Sequence, residues 1–325
     1  MNDDLFLTGS PESESTLRAL LDQVSELIIS DARLSSKPIS PPGSPMPPVD
    51  YSAADIFPEL GVGMRNAWAT LGASVIASSV AVSSPTYVAH YLAPPLIQSA
   101  VAEFVIGALN QSLDSYDQGP AATALELAVI QLCCHELGLT DGDGVFTAGA
   151  SMSNLMGLLL ARENAARKGS EVRLLVSAQA HLSIALAAQI IGLNPKSVVI
   201  VPSAPGGGMD PFALERQLRS ASVAGTSAII AVTIGTTDSG ASDPVEFACD
   251  LAEEQDSWVH LDAAATGALA LSRAHRSLLG DISRCDSIAL DFHKLGWQSV
   301  SSGCFFVRDA TSLELIRHHA DYLNP

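Results

Sequence analysis

The chain has 325 residues, enough for one large α/β domain or two smaller ones, and 47% hydrophobic against 16% charged residues exclude a disordered polyelectrolyte. Thirty-five acidic against 17 basic side chains leave a formal charge of -18, a balance that repels nucleic-acid and anionic-membrane phosphates; aromatics at 5% also argue against a base-stacking surface. The chemistry is therefore expected in a small-molecule site.

Met1 to Pro11 is acidic and lacks the basic-then-apolar order of a secretion signal. Residues 14–29 (ESTLRALLDQVSELII) place Leu17, Leu20, Leu21, Val24, Leu27 and Ile28 at helical spacing. The apolar stripe of that helix needs a partner, either the main domain or a second subunit. Ser35 to Pro48 (SSKPISPPGSPMPP) is dense in Pro and Ser and reads as an extended connector. Between Arg65 and His90 no residue is charged, but Asn66, several Ser and Thr, Pro85 and much Ala fall short of the ~20 predominantly apolar residues of a membrane span. A buried helix is expected there.

From about Thr86 helices and strands alternate. Helices are expected at 96–109, at 121–137 with Gly138 as the stop, at 151–168 capped by Ser151, at 181–191 ended by Gly192, at 212–220 and at 244–255. Strands are expected at 144–148, 173–177, 197–201, 227–233, 258–261, 287–290 and 304–308. Such alternation implies an α/β fold, a mostly parallel sheet with helices on both faces. The resulting division is an N-terminal arm at 1–85, a large domain at 86–310 and, at 311–325, the start of a connection. Five cysteines, Cys133, Cys134, Cys249, Cys285 and Cys304, form no CxxC pair and read as reduced, mostly buried thiols of a cytoplasmic protein, with no zinc site.

In open α/β sheets the ligand sits beyond the carboxyl ends of the strands, which selects the loops at 147–151, 180–181, 233–238, 262–264 and 291–294. Lys294, after His293 at the end of an apolar strand, is either a surface lysine or a Schiff-base lysine made nucleophilic by desolvation. Asp262 in WVHLDAAATG is either a helix N-cap or the partner of a protonated pyridine nitrogen. Thr147 to Asn154 (TAGASMSN) joins strand to helix through small residues and can cradle a phosphate on backbone N–H groups and Ser151. It is neither a P-loop nor a GxGxxG fingerprint, which disfavours a Rossmann dehydrogenase. His181 is a cap, a core residue or a ring that stacks on a heteroaromatic. Gly235-Thr236-Thr237 by itself is a turn.

A lysine for an aldehyde, an acid for a ring nitrogen, a helix end for a phosphate and a stacking imidazole are the requirements of pyridoxal 5'-phosphate. In that order the segments TAGASMSNLMGLLLAR, SAQAHLSIALAAQIIGL, TIGTTDSGASDPV, HLDAAATGALALS and DFHKLG resemble the group II amino-acid decarboxylases, which are fold-type I, transferase-like pyridoxal-phosphate enzymes. The resemblance runs from about Ser84 to Pro325. It implies that Lys294 carries the cofactor, Asp262 pairs with its ring nitrogen, His181 stacks on one ring face and Ala264 packs on the other. It further implies that Ala150, Ser151 and His293 bind the phosphate and that Thr237 supports the ring. The family often has a bulkier residue and a glycine where this chain has Ala265-Thr266, and a polar residue where it has Met152, so the pocket's shape is expected to differ.

The stretch HYLAPPLIQSAVAEFVIGALNQSLDSYDQGPAATALELAV and the FHK form of the lysine motif resemble the diaminobutyrate branch of the family. His90, Ser112 and Asp114 are the substrate-side candidates. The stretch containing Ser112 and Asp114 would reach the partner subunit's pocket in a homodimer with shared active sites. There the Asp114 carboxylate would favour a cationic substrate side chain, hence a diamino acid such as L-2,4-diaminobutyrate; on a solvated loop it would instead be a turn residue. The implied reaction is loss of CO2 from Cα of an L-amino acid, a carboxy-lyase activity in amino-acid metabolism. Rival readings keep the cofactor and change the outcome, to decarboxylation of tyrosine, glutamate or cysteine sulfinate or to aldehyde synthesis, or make the chain a non-catalytic or split subunit. The family continues into a mobile loop with a protonating tyrosine and a smaller C-terminal domain, for which no counterpart is expected here unless Tyr322 substitutes for that tyrosine. The chain is thus expected to be a fragment, a clipped form, or one completed by a separate polypeptide.

Overall fold

The computed structural model describes residues 6–33, 51–85, 87 and 89–317, so the connector read at 35–48, Tyr322 and most of 311–325 lie outside the described residues. Two units can be distinguished, residues 1–89 and 90–325. In the first, α1 (Pro11–Arg33) extends beyond the expected 14–29. Pro11 suits a first helical position, where no N–H is needed, and Ser10 Oγ accepts the Ser13 N–H at 3.1 Å. Short α2 (Ala53–Ile56) and α3 (Met64–Ala67) follow, then a π-type turn at Trp68–Gly72 and α4 (Ala73–Ser78), which packs on α1. The buried helix expected between Arg65 and His90 is thus corrected. Helix stops at Ser78, where Ser79 turns extended (ψ 147), and no described residue of 64–78 is buried. No helix among the described residues is long and apolar enough to cross a membrane.

The second unit is built on a seven-stranded sheet: β1 (Asp143–Thr147), β2 (Val172–Ser177), β3 (Val198–Val201), β4 (Ser227–Thr233), β5 (Trp258–Asp262), β6 (Ser287–Asp291) and β7 (Gly303–Val307). Their order across the sheet is β1-β7-β6-β5-β4-β2-β3, and every pair is parallel except the two that β7 makes. The sheet is mixed, with one reversed strand between β1 and β6. Two helices, α5 (Ile97–Leu109) and α6 (Pro120–Leu137), precede β1, and between the strands run α7 (Ala150–Arg167), α8 (Leu182–Ile190), α9 (Pro211–Val223) and α10 (Val245–Glu254).

Both faces of the central strands β4 to β7 are dry, which explains why they read as apolar runs. On β4, Ile230 and Val232 join α6, α9 and α10 in one core cluster, whereas Ile229 and Ala231 join α7 and α8 in the other. Strand β7 divides likewise, Cys304 and Phe306 against Phe305 and Val307. A one-residue slip would exchange the two sets, so side-chain volume on both faces fixes the register. That register brings Thr233 opposite Asp262, and Asp262 opposite Ala289, at the carboxyl ends of β4, β5 and β6.

Candidate active site

A cavity of about 570 Å³ opens at those strand ends. Ala150, Ser151, His181, Thr237, Asp262, Ala264, His293 and Lys294 all line it, with Tyr91, Asn154, Ser183 and Asp291. Ala150, Ala264 and Ala289 form a small buried apolar cluster of their own beside it. Lys294 and Asp262, separated by 32 residues and two strand ends, thus share one chamber.

Helix α7 presents its N-terminus to this chamber. Ser151 is not its cap, contrary to expectation: the helix begins at Ala150, and the cap position is Gly149 (φ 139, ψ 165), which makes no side-chain capping bond. The reason is tertiary. Asp291 Oδ1, arriving from the end of β6, accepts the Ala150 N–H at 2.7 Å and takes over the local cap's work. The other oxygen, Oδ2, lies 3.3 Å from Lys294 Nζ and 3.6 Å from His293 Nε2. Asp291 is only 3% exposed, so its charge is held by the lysine and the helix end rather than by water.

His181 takes one of its candidate roles, the cap, at the cavity wall. It caps α8, Nδ1 accepting the Ser183 N–H at 3.3 Å, and it also lines the cavity. Asp262 Oδ1 accepts the Ala264 N–H at 3.0 Å, and Oδ2 accepts from Asn154 Nδ2 at 2.9 Å. Asn154 in turn meets His260, whose burial lowers its pKa to about 4 and keeps it neutral. A second buried acid, Asp243, gathers the Met209 and Thr233 N–H groups and the Ser177 hydroxyl at 2.6, 2.8 and 3.1 Å, tying down the ends of β2 and β4; burial raises its pKa.

The substrate-side candidates are placed elsewhere. Ser112 and Asp114 are exposed, outside the cavity, in a turn where Ser112 Oγ accepts the Asp114 N–H at 3.1 Å. His90 is exposed too and does not line the cavity. The left-handed turn at His90 (φ 60) and Tyr91 (φ 55) brings in Tyr91 instead, whose hydroxyl donates to the Thr236 carbonyl at 3.3 Å. Asp291, Asn154 and Tyr91 were not singled out from the sequence. Asp291 does stand inside the 291–294 loop that the strand-end rule selects, and Asn154 closes the TAGASMSN segment read as a phosphate cradle, so those positions were the available signal; Tyr91 has none.

A family model described as the pyridoxal-dependent decarboxylase conserved domain matches residues 72–325. Among curated proteins, the chain is 39% identical over 280 residues to an L-2,4-diaminobutyrate decarboxylase of Rhizobium meliloti, covering 83% of this chain and 55% of that one. It is 35% identical over 287 residues to that of Acinetobacter baumannii, covering 81% and 56%. The chain therefore spans about half the length of the curated relatives it matches. A solved structure, the glutamate decarboxylase domain of diaminobutyrate-pyruvate transaminase and L-2,4-diaminobutyrate decarboxylase from Vibrio parahaemolyticus, superposes with a TM-score of 0.79 at 32% identity, covering 97% of this chain and 71% of that one.

Proposed function

Since the chain belongs to the pyridoxal-dependent decarboxylase family, we propose that it binds pyridoxal 5'-phosphate in this cavity and decarboxylates an L-amino acid, with a diamino acid such as L-2,4-diaminobutyrate as substrate. One observation carries the reading: a lysine amine, a buried carboxylate, an imidazole and a helix N-terminus from four separate segments line a single chamber of about 570 Å³.

The residues present fit the cofactor. Gly149 holds φ 139, a conformation that side chains rarely adopt, and a Cβ there would stand 3.7 Å from Asp291 Oδ1 and 3.8 Å from His293 Cε1. The bare backbone leaves the start of α7 open to a phosphate, which Ala150, Ser151 and His293 would hold. When bound, the cofactor supplies an aldehyde for the lysine and a ring that accepts the electrons left at Cα.

The protein's own groups do the rest. Asp291 keeps the Lys294 amine at the cavity wall. Asp262, fixed by Asn154 and the Ala264 N–H, presents a carboxylate for a cationic ring nitrogen, which sustains the ring's electron demand. His181 and Ala264 would flank the ring, the alanine with an apolar surface that excludes water. Thr237 would support it at the edge.

A homodimer completes the reading. Ile97, Val101, Ile106 and Leu109 of α5 and Leu125 and Leu132 of α6 are exposed, an apolar surface suited to a second copy. Ser112 and Asp114, away from this chain's cavity, would then serve the partner's site, where a carboxylate selects a cationic substrate side chain. Five free, buried cysteines fit a reducing compartment, the cytoplasm. No observation favours an aldehyde synthase or a non-catalytic subunit over this reading.

Intact mass spectrometry with and without borohydride reduction tests it. The proposal expects one cofactor retained on the reduced chain at Lys294 and none in Lys294→Ala. Retention in the variant would remove Lys294 from its role, and no retention in either chain would end the cofactor reading.

A further inference from the structure

A continuous run of hydrogen bonds crosses the core from Trp258 at the start of β5 to His181 at the cavity wall. Its interior members are deeply buried: Asn154, His260 and Ser287 are 0% exposed, Ser183 3% and Asp262 4%. In such surroundings an unmatched donor or acceptor is costly enough to decide each proton's place.

Three groups in the run can act in one sense only. Trp258 Nε1–H must donate, and it does so to Ser287 Oγ at 2.9 Å. The Ser287 hydroxyl hydrogen is then left for His260 Nδ1 at 2.8 Å. His260 is neutral, so its one proton sits on Nε2, which donates to Asn154 Oδ1 at 2.9 Å. The Asp262 carboxylate must accept, which sets Asn154 Nδ2 as donor to Oδ2, and the same amide group donates to Ser183 Oγ, both at 2.9 Å. Reversing the Asn154 amide would face oxygen to oxygen at Asp262. Finally, the Ser183 backbone N–H must donate, and it points at His181 Nδ1 with the Ser183 hydroxyl 2.8 Å away. With that nitrogen engaged as an acceptor, the proton of the His181 ring belongs on Nε2.

We infer that Asn154 and His260 are positioning residues that set two cavity groups at once: they orient the Asp262 carboxylate, and through Ser183 they fix His181 as the Nε2–H tautomer, a hydrogen-bond donor toward the chamber rather than a base. Asn154 is the junction, since its oxygen reads His260 while its nitrogen serves Asp262 and Ser183. Only the identity of the ligand that meets these groups rests on the cofactor reading above; the proton positions stand on the chain's own bonds.

The test is long-range proton–nitrogen NMR on the full 325-residue chain with 15N-labelled histidine, free and loaded with pyridoxal 5'-phosphate, beside a fluorescence titration of cofactor affinity. Wild-type His181 and His260 should each show an unprotonated Nδ1 and a protonated Nε2. A protonated Nδ1 on either ring overturns the assignment. Asn154→Ala should move the nitrogen resonances of both rings and weaken cofactor affinity about 10-fold; unmoved resonances or unchanged affinity overturns the positioning role. Should that variant not fold, Ser183→Ala carries the test: it should shift His181 Nδ1, and Ser183→Thr, which keeps the hydroxyl, should restore it, whereas equal spectra for both variants overturn the link. If wild type is labelled at Lys294 by reduction but Asn154→Ala binds as tightly, this inference alone falls. If wild type is never labelled, the cofactor reading falls and the free-chain tautomers still decide this one.

Discussion

Lys294 and Asp291 meet at 3.3 Å just beyond β6, and the same buried carboxylate takes the Ala150 N–H that opens α7 at 2.7 Å. One acid thereby joins the lysine to the helix end. Removing it leaves an amine and an N–H without their partner in a largely buried setting. Asp291→Ala should lower the unfolding free energy of the cofactor-free chain by about 2 kcal/mol. Asp291→Asn, which can still accept from Ala150, should cost less, and urea denaturation of the two variants gives the ordering.

The space for His260 depends on Gly157. A Cβ at that position of α7 would fall 2.2 Å from His260 Nδ1, inside the ring's own volume. An imidazole fixed by hydrogen bonds at both nitrogens cannot swing away. Gly157→Ala should therefore destabilise the fold by about 1–3 kcal/mol, despite alanine's better helix propensity, with the loss read from thermal or urea unfolding.

The same histidine makes stability depend on pH. Its pKa is lowered by burial to about 4 from an ordinary 6.5, so as pH falls the unfolded chain takes up the proton first. The stability lost in this way is nil above pH 6.5, grows as pH falls, and reaches roughly 3 kcal/mol by pH 4. Asp243 and Asp286, whose pKa values burial raises, act in the opposite sense, favouring the fold as they protonate. Urea midpoints measured from pH 8 to pH 4 on wild type and His260→Gln should differ in slope by the histidine's share.

Thiol reagents should find little in the folded chain. All five cysteines are free and buried, and burial pushes Cys133 and Cys134 up to about 11 and Cys304 higher still. Cys249 and Cys285 share a 3.9 Å sulfur contact that raises the second thiol and lowers the first, yet Cys249 is 2% exposed. A disulfide-exchange colour assay at pH 8 should show slow release in native protein and five thiols in denaturant.

The strand at 227–233 and the helix stop at Gly138 were legible because both are local events: an apolar run of strand length, and a residue free to turn left-handed (φ 78). The strand-end rule likewise drew Asp262, His181 and Lys294 into one group, since sheet topology obliges parallel strands to deliver their loops to one edge. Partners across the sheet were not legible. Ser151 was a reasonable cap until Asp291, 141 residues away, took the Ala150 N–H. His90 was a substrate-side candidate, but a left-handed turn brings the neighbouring Tyr91 to the cavity.

Periodicity and punctuation thus determined which segments are helix or strand and which loops carry polar groups, because those preferences act within a few residues. Packing alone decided the direction of β7, the acid that binds both lysine and helix, and the buried amide that sets Asp262 and His181. A hydrogen-bond partner is chosen by where the folded chain places it, and nothing in the spacing of Asn154 and His260 along the sequence announces that the two will meet.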